Sequence, residues 1–372
     1  MDGGNVSEGI PLKKITCIIH SLGLGGMERV MSLLLNEFVG REYVAVDLIL
    51  IGKERKVEFP LSSRVNIHRP SFDFDDSKRN QHTLKTLIFL RKKIMDIKPN
   101  SILSFGELWN NFVLLALLGL PFPVFISDRS QPDKDLGKLH NFLRSKLYPK
   151  AAGFIGQTEY AANNALKKKW NNNIKTIGNP IRKILCSEFH KREKIVVTVG
   201  RLIPTKNIKE LVDLFLKINM PHWKLLVIGG NAKNNDLLTK YRNYIVELGA
   251  GDRIQLLGGV KDVEKYYQIA SIFAFASSSE GFPNVIGEAL SAELPVVAFD
   301  CIAGPSEMIE DGVNGFLVPV RSFDAFKEKL KMLMEDECLR KSFSEKAFIK
   351  IQKFEQQYIC NEFFNFITKN KF

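Results

Sequence analysis

Short runs of apolar, mostly β-branched residues alternate along the chain with longer segments whose apolar residues recur every three or four positions. The short runs predict buried strands and the longer segments predict amphipathic helices. The predicted strands cover 14–20, 43–51, 65–68, 101–105, 124–127, 194–199, 223–228, 254–257, 272–276 and 295–299; the predicted helices cover 27–38, 84–97, 236–248, 263–269, 284–291 and 323–335. This alternation indicates βαβ units with parallel sheets, which bind ligands at the carboxyl ends of their strands.

The pattern is interrupted once, between residues 178 and 194, where a proline and a cluster of charges precede a new strand. A chain of 372 residues is long enough for two domains. We therefore predict two similar α/β domains that face each other across a cleft and are joined near residue 185.

Composition narrows the class of protein. Apolar residues make up 45% and charged residues 25%, as in soluble globular proteins. The five cysteines are far apart and form no CxxC pair, which indicates a reducing compartment and argues against structural zinc. The first eleven residues do not resemble a signal peptide. The longest apolar stretch, 112–126, contains two prolines and is too short to span a bilayer, so we interpret it as a buried helix, a turn and a strand.

The positive charge is concentrated in the first half of the chain. Of the net charge of +12, residues 1–186 hold 28 basic and 17 acidic residues, whereas 187–372 hold 25 and 24. A basic half predicts contact with nucleic acid, an anionic membrane surface or an acidic ligand. The alternative is that the excess charge serves solubility alone.

Two loops offer groups that suit phosphates. Gly23 to Gly26 follow the first strand, where backbone N–H groups can approach an anion; a plain tight turn is the alternative. At the end of the strand 194–199, Arg201 and Lys206 place two cations beside the ligand edge, which suits a diphosphate. Two solvated surface cations are an equal alternative.

Two further motifs follow later strands. The segment 277–284 leads into a helix, with Glu280 before the helix and Glu288 about two turns inside it. Two carboxylates so placed can accept hydrogen bonds from sugar or ribose hydroxyls, although a capping carboxylate and a surface glutamate explain the pair as well. The segments 300–307 and 311–318 read as a loop and as a turn into a short final strand.

Together, these motifs resemble the retaining glycosyltransferases of family 4, and in particular bacterial enzymes of capsule, O-antigen and exopolysaccharide synthesis. The resemblance is carried by GRLIPTKN, LLVIGG, SSSEGFPNVIGEAL and PVVAFDCIAGPSEMIEDGVNGFLVP, with SLGLGGMERV and GNPI in the first half. It implies the α/β fold called GT-B, which has two Rossmann-like domains. Residues 1–185 would bind the acceptor and 186–352 the nucleotide sugar, while a helix over 353–372 would cross back to the N-terminal domain.

The resemblance also implies roles for individual residues. Glu280 would bind hydroxyls of the donor sugar and Glu288 those of the ribose. Arg201 and Lys206 would hold the donor diphosphate and stabilise the leaving nucleotide. Backbone contacts to phosphate or sugar, and a nucleobase site around 258–260, would come from Gly25, Gly26, Gly281, Phe282, Pro283, Asn284, Val285 and Val260.

The N-terminal half departs from part of the family at one loop. Some members carry a histidine where this chain has Ser127-Asp128-Arg129-Ser130. The acceptor-side group is then either Asp128, which we take as a catalytic candidate, or Arg129. Local pairing of these two side chains is the structural alternative.

The implied function is transfer of a hexose or N-acetylhexosamine, with retention, from a nucleotide sugar, expected to be UDP-linked, to a polyprenyl-diphosphate-linked glycan. No metal or other cofactor would be required, and no nucleic acid would bind. The enzyme would be cytoplasmic and attached peripherally to the inner, anionic face of the membrane, with Arg91 to Lys93 and Lys167 to Lys169 as candidate contacts. A GDP-mannose-dependent mannosyltransferase is the alternative within the class. A UDP-sugar epimerase of the same fold is disfavoured because no histidine occurs in the motifs, and a nucleic-acid-binding protein because no such module is recognisable.

Overall fold

The computed structural model describes residues 12–23, 25–185, 192–232 and 235–369, and the chain divides into two compact units. Unit 1 extends to Gly178 and takes up the chain again from Gln357, while unit 2 extends from Asn179 to Gln356. The sequence analysis set the corresponding bounds at 185/186 and 352/353. The prediction of two parallel-sheet α/β domains is confirmed.

Unit 1 is built on a seven-stranded parallel sheet of order β3-β2-β1-β4-β5-β6-β7. Its elements, before the chain enters unit 2, are β1 Lys13–Ile19, α1 Gly26–Gly40, β2 Val44–Leu50, β3 Val65–His68, α2 Arg79–Ile97, β4 Ser101–Phe105, α3 Glu107–Ala116, β5 Val124–Ser127, α4 Lys138–Leu147, β6 Gly153–Gly156, α5 Glu159–Lys167 and β7 Ile174–Thr176. The interpretation of 112–126 as helix, turn and strand is confirmed by α3 and β5.

Unit 2 is built on a six-stranded parallel sheet of order β10-β9-β8-β11-β12-β13. Its elements are β8 Ile195–Val199, α6 Ile208–Lys217, β9 Lys224–Ile228, α7 Leu237–Glu247, β10 Ile254–Gly258, α8 Glu264–Ile269, β11 Ile272–Phe275, α9 Asn284–Ser291, β12 Val296–Phe299, α10 Pro305–Met308, β13 Gly315–Val318, α11 Phe323–Glu335 and α12 Glu337–Ile351. Every strand and helix predicted from the sequence is present in one of the two units.

The last helix, α13 (Gln356–Lys369), belongs to unit 1. Its apolar face packs on that unit: the ring of Phe364 lies 5.7 Å from that of Phe38 on α1, and the ring of Phe366 lies 5.4 Å from that of Phe125 on β5. Burial of large aromatic side chains is a major source of stability. The helix is therefore part of the core of unit 1.

Strand β6 is short and bounded by two glycines, and the sequence analysis did not assign it. A Cβ atom on Gly156 would lie 2.7 Å from the backbone nitrogen of Ala162, and one on Gly153 would lie 2.8 Å from the ring of Phe125. The glycines thus permit close packing of α5 and of a neighbouring strand on β6.

None of the helices in the described ranges combines the length and hydropathy that crossing a bilayer requires.

Candidate active site

In unit 2, glycine backbone lies at the carboxyl ends of three neighbouring strands, β8, β9 and β10. The Gly200 N–H donates to the Ile228 carbonyl at 2.9 Å, and the Gly229 N–H donates to the Gly258 carbonyl at 2.8 Å. A Cβ atom on Gly229 would overlap the Gly200 carbonyl oxygen. Glycine at 229 is therefore what allows the ends of β8, β9 and β10 to meet.

Hydrogen bonds join two of the sequence motifs at this edge. The Ser278 N–H donates to the Thr205 carbonyl at 2.8 Å, and the Asn207 side chain donates to the Ala276 carbonyl at 2.8 Å. The turn Pro204–Lys206 is thereby attached to the loop that follows β11. Residues about seventy positions apart in the chain consequently share one small region.

Lys206 and Glu280 form an ion pair within that region. The Lys206 ammonium donates to Glu280 Oε1, and the two side chains are only 14% and 15% exposed. The ammonium also lies 5.0 Å from the centre of the Phe275 ring, and a Cβ atom on Gly200 would lie 3.2 Å from Lys206 Cε. The pair is held in place while remaining partly open to solvent. The sequence analysis assigned these residues to different parts of the donor and did not predict their contact.

Arg201 has a different environment. Its side chain is exposed, and it makes no hydrogen bond or ion pair with the part of the chain that the structure describes. Within that same part, no three His, Cys, Asp or Glu side chains are grouped closely enough to hold a metal ion. The charges at hand for a diphosphate at this edge are the cations of Arg201 and Lys206.

The segment 300–307 packs against the segment 277–284. A Cβ atom on Gly304 would overlap the Pro283 ring, and Gly304 has a φ of +108°, which favours glycine. Cys301 is buried nearby; burial, and next the charge of Glu280, raise the pKa of its thiol to about 12. The thiol is therefore protonated and unreactive at neutral pH.

Glu288 lies in a more closed environment than Glu280. Its side chain sits within α9, is only 5% exposed, and accepts a hydrogen bond from the Tyr267 hydroxyl at 3.2 Å. Its contact with a ribose remains a prediction. Among the other residues predicted to contact the donor, Phe282 and Pro283 are buried, and the half-buried ones are Gly281, Asn284, Val285 and Val260.

In unit 1, the glycine loop after β1 is accompanied by a histidine. Gly25 precedes α1 in an extended conformation, Gly26 begins the helix, and a Cβ atom on Gly25 would overlap the Glu28 carboxylate. That carboxylate lies 3.4 Å from His20 Nε2. His20 stacks on Trp109, with ring centres 5.6 Å apart, and burial lowers the pKa of its imidazole although Glu28 opposes the shift.

His20 was missed because the sequence analysis found no histidine in the motifs. Its position was the available signal: it is the residue that directly follows the last residue of β1. In a parallel sheet this places it at the carboxyl edge.

Asp128, at the end of β5, is at the centre of a buried polar network. Its carboxylate, 7% exposed, pairs with the Arg144 guanidinium and accepts hydrogen bonds from the Tyr148 hydroxyl at 2.6 Å and the Asn110 amide at 3.0 Å. Burial raises the pKa of Asp128, against the effect of Arg144. Its ion-pair partner is thus Arg144 rather than the neighbouring Arg129. These contacts favour a positioning role for Asp128, and the catalytic role remains a prediction.

The loop after Asp128 is fixed by Glu107, the first residue of α3. Glu107 Oε1 accepts hydrogen bonds from the backbone N–H of Arg129 at 2.9 Å, from the backbone N–H of Ser130 at 2.6 Å and from the Ser130 hydroxyl at 2.6 Å. One carboxylate oxygen therefore accepts hydrogen bonds from the backbone N–H groups of both Arg129 and Ser130.

The two basic triplets are partly engaged within unit 1. Arg91 donates to the Ala116 and Leu118 carbonyls at 2.9 and 3.0 Å, at the end of α3. Lys168 lies 3.4 Å from Asp133 and 5.0 Å from the centre of the Trp170 ring. Arg91 and Lys93 are half-buried, whereas Lys92, Lys167, Lys168 and Lys169 are exposed.

Comparison with known proteins shows that the chain is similar to glycosyltransferases. Residues 185–350 match the family described as glycosyl transferases group 1. The amylovoran biosynthesis glycosyltransferase AmsD of Erwinia amylovora is 27% identical over 340 residues, which are 87% of this chain and 90% of AmsD. An α-1,4-N-acetyl-D-galactosaminyltransferase of Campylobacter jejuni, whose name gives a glycan on PP-undecaprenol, is 25% identical over 97% of this chain and 99% of its own.

Solved structures share the fold over nearly the whole chain. The lipopolysaccharide outer core galactosyltransferase WaaB aligns with a TM-score of 0.75 and 19% identity, over 96% of this chain and 99% of its own. HepE from Anabaena, crystallised with UDP, aligns with a TM-score of 0.77 and 17% identity, over 96% of this chain and 100% of its own. The segment that matches the group 1 family contains Arg201, Lys206 and both glutamates. The chain is a glycosyltransferase of the GT-B fold that resembles enzymes of capsule and exopolysaccharide biosynthesis.

Proposed function

We propose that this chain is a metal-independent, retaining glycosyltransferase of family 4 in surface polysaccharide biosynthesis. It transfers a hexose or N-acetylhexosamine from a UDP-sugar to a polyprenyl-diphosphate-linked glycan. The observation that carries the proposal is the Lys206–Glu280 pair, because it places a cation for phosphate and a carboxylate for sugar hydroxyls at one sheet edge within the group 1 segment.

The proposed reaction breaks the bond between the anomeric carbon and the diphosphate oxygen, with negative charge developing on the departing UDP. Lys206 and the exposed Arg201 stabilise that charge, which is the role that a metal ion plays in other transferases. Glu280 orients the sugar by accepting hydrogen bonds from its hydroxyls. For retention, the acceptor hydroxyl attacks from the face that UDP leaves, and its proton passes to the leaving phosphate.

Solved complexes of proteins with a similar fold favour UDP as the nucleotide of the donor. HepE and a TarM mutant were both crystallised with UDP, and the names of relatives give N-acetylgalactosamine as a transferred sugar. A GDP-mannose donor is the alternative that a donor screen separates directly.

A lipid-linked acceptor is supported by the relatives' names and by the surface of unit 1. Two relatives from Campylobacter jejuni are named for acceptors on an undecaprenyl diphosphate. Helix α4 exposes Leu139 and Phe142, at 66% and 58%, together with Lys138 and Lys146. An apolar and basic helix face suits the interface of an anionic membrane, where each cation contributes about 1 kcal/mol.

The test is a donor screen on the full chain, with saturation-transfer NMR and turnover across UDP-hexoses, UDP-N-acetylhexosamines and GDP-mannose in the presence of EDTA. One UDP-sugar should bind and turn over without added metal. Lys206→Ala should lower turnover by a factor of about 100 to 1000, because it removes a charge that acts on the departing UDP. Lys209→Ala is the matched control, since Lys209 is exposed and pairs with Asp213 at 2.8 Å; its turnover should stay near that of the parent.

Three outcomes would overturn the proposal. Binding of GDP-mannose with no response to UDP-sugars would change the donor class. Loss of turnover in EDTA, restored by Mg²⁺, would refute metal independence. Equal turnover of Lys206→Ala and the parent would remove Lys206 from the mechanism.

A further inference from the structure

Arg129, on the loop after β5, holds a positive charge inside unit 1, and its guanidinium makes no ion pair with the part of the chain that the structure describes. Its Nε and Nη2 atoms are buried and lack a hydrogen-bond partner within the described part of the chain. Its Nη1 atom makes one weak contact, a 3.3 Å donation to the Ser127 hydroxyl. The guanidinium instead faces aromatic rings, 4.1 Å from the centre of Phe105 and 5.9 Å from that of Phe363. A buried guanidinium is ordinarily paired with a carboxylate or phosphate.

Arg144 provides an internal comparison. It also lies over an aromatic ring, 3.7 Å from the centre of Trp170, but its Nη2 atom pairs with the Asp128 carboxylate. Both guanidinium groups therefore lie over an aromatic ring, but among the described residues only that of Arg144 is also paired with a carboxylate. The difference between the two sites is the missing anion.

Among the described residues of unit 1, no carboxylate pairs with the Arg129 guanidinium. Glu107 is the acidic group whose charge acts on Arg129, but its Oε1 atom is bonded to backbone N–H groups and to the Ser130 hydroxyl. Burial lowers the pKa of Arg129 to about 9 in spite of Glu107, so the guanidinium is still charged at neutral pH. A bound anion would compensate this charge.

The position of Arg129 is suited to a ligand. It follows β5 at the carboxyl edge of the sheet, and the neighbouring strand is β4, which precedes α3 and its first residue Glu107. Asp128 anchors the backbone on one side through its buried network, and Ser130 anchors it on the other. The residue as a whole is half-buried, although its Nε and Nη2 atoms are buried.

We propose that Arg129 binds a phosphate or diphosphate group of the acceptor at the carboxyl edge of unit 1, and that Asp128 acts as a positioning residue for it. The planar fork of a guanidinium can donate to two phosphate oxygens at once. On binding, the side chain turns from the Phe105 ring towards the sheet edge. The identity of the anion as part of the acceptor rests on the proposed function, whereas the anion site rests on the contacts of Arg129 alone.

The test is calorimetric titration of the full chain carrying Arg201→Ala and Lys206→Ala, which removes the cations assigned to the donor. The probes are inorganic pyrophosphate and geranyl diphosphate, a short lipid-linked diphosphate. Adding Arg129→Gln should weaken geranyl diphosphate binding at least tenfold. Arg129→Lys should retain part of it, because a lysine keeps the charge and loses the fork. Lys134→Gln, an exposed cation on the same loop, is the matched control and should bind as its parent does.

Thermal unfolding of the single variants separates ligand binding from a structural role. Without an anion, Arg129→Gln should unfold at the same temperature as the parent or higher, because it removes an unpaired buried charge. Arg144→Gln should unfold at a lower temperature, because it leaves Asp128 buried without its partner. If Arg129→Gln instead unfolds as early as Arg144→Gln and the titrations are unchanged by it, Arg129 is structural and the proposal fails.

The probes also distinguish the source of the phosphate. Binding of geranyl diphosphate that depends on Arg129 supports an acceptor site, while binding of pyrophosphate alone overturns the acceptor assignment. Neither measurement needs turnover. If the donor screen fails while Arg129-dependent binding persists, the proposed reaction is wrong and the anion site stands.

Discussion

The carboxyl edges of the two sheets hold their charges in opposite ways. In unit 2, Lys206 and Glu280 neutralise each other in a partly open position, on loops joined by backbone hydrogen bonds. In unit 1, Asp128 is buried with Arg144, and the adjacent Arg129 makes no ion pair with any described residue. The first arrangement is complete without a ligand, because each charge has a partner that a ligand can displace. The second is incomplete, and a bound anion would complete it.

The largest expected effect tests the glycine-built edge of unit 2. Gly229→Ala should destabilise unit 2 by on the order of 5 kcal/mol, because its Cβ atom would overlap a backbone oxygen that cannot move independently. Gly230→Ala is the matched control: the nearest atom to its Cβ would be 3.8 Å away, and its effect should lie within about 0.5 kcal/mol. Denaturant unfolding measures both. Equal stabilities would show that the strand ends do not depend on this approach.

The next effect tests the buried network of unit 1. Asp128→Ala should cost about 3 to 5 kcal/mol, because Arg144 is then a buried cation without a partner. Asp133→Ala removes an ion pair with Lys168 whose side chains are far more exposed, so it should cost no more than about 1 kcal/mol. Denaturant unfolding of both variants is the measurement, and a small effect at Asp128 would refute the network as the support of the 128–130 loop.

The smallest effect concerns His20, a half-buried titratable group beside the glycine loop. Because burial lowers its pKa in the folded chain, the unfolded chain binds more protons as pH falls below the ordinary histidine pKa of about 6.5. Stability should therefore fall as pH decreases from that value towards the folded pKa, and His20→Gln should flatten this part of the profile. His222→Gln, at an exposed position, is the control and should leave the profile unchanged. Melting temperatures between pH 7 and 5 measure it, and an unchanged slope in His20→Gln would contradict the assignment.

Hydrophobic periodicity was sufficient to predict the architecture. Strands such as β4 and β12 are buried along their whole length and appear in the sequence as short continuous apolar runs. Strand β6 was not predicted because its two glycines do not resemble a strand in the sequence. They are explained by the close approach of α5 and of Phe125, and such contacts between elements are not visible in the sequence alone.

The residues of the candidate site were recognisable in unit 2 because each lies in a local motif. Their pairing was not, since the contact between Lys206 and Glu280 depends on how β8 and β11 lie in the sheet. In unit 1 the sequence offered Arg129 as an alternative partner of Asp128, whereas the partner is Arg144. Arg144 lies on α4, and the sequence alone does not show that this helix returns to the end of β5.

The helix α13 has a consequence for how the protein is made. Unit 2 is inserted between two parts of unit 1, so a ribosome completes unit 2 before it has synthesised the segment that finishes unit 1. Until then, the aromatic side chains that α13 covers, Phe38 and Phe125 among them, lack their cover. Domains usually fold in order from the N-terminus during synthesis. Unit 1 is therefore the first unit to begin folding and the last to be completed. Truncating α13, or fusing a bulky group to it, would disturb the packing of the core of unit 1.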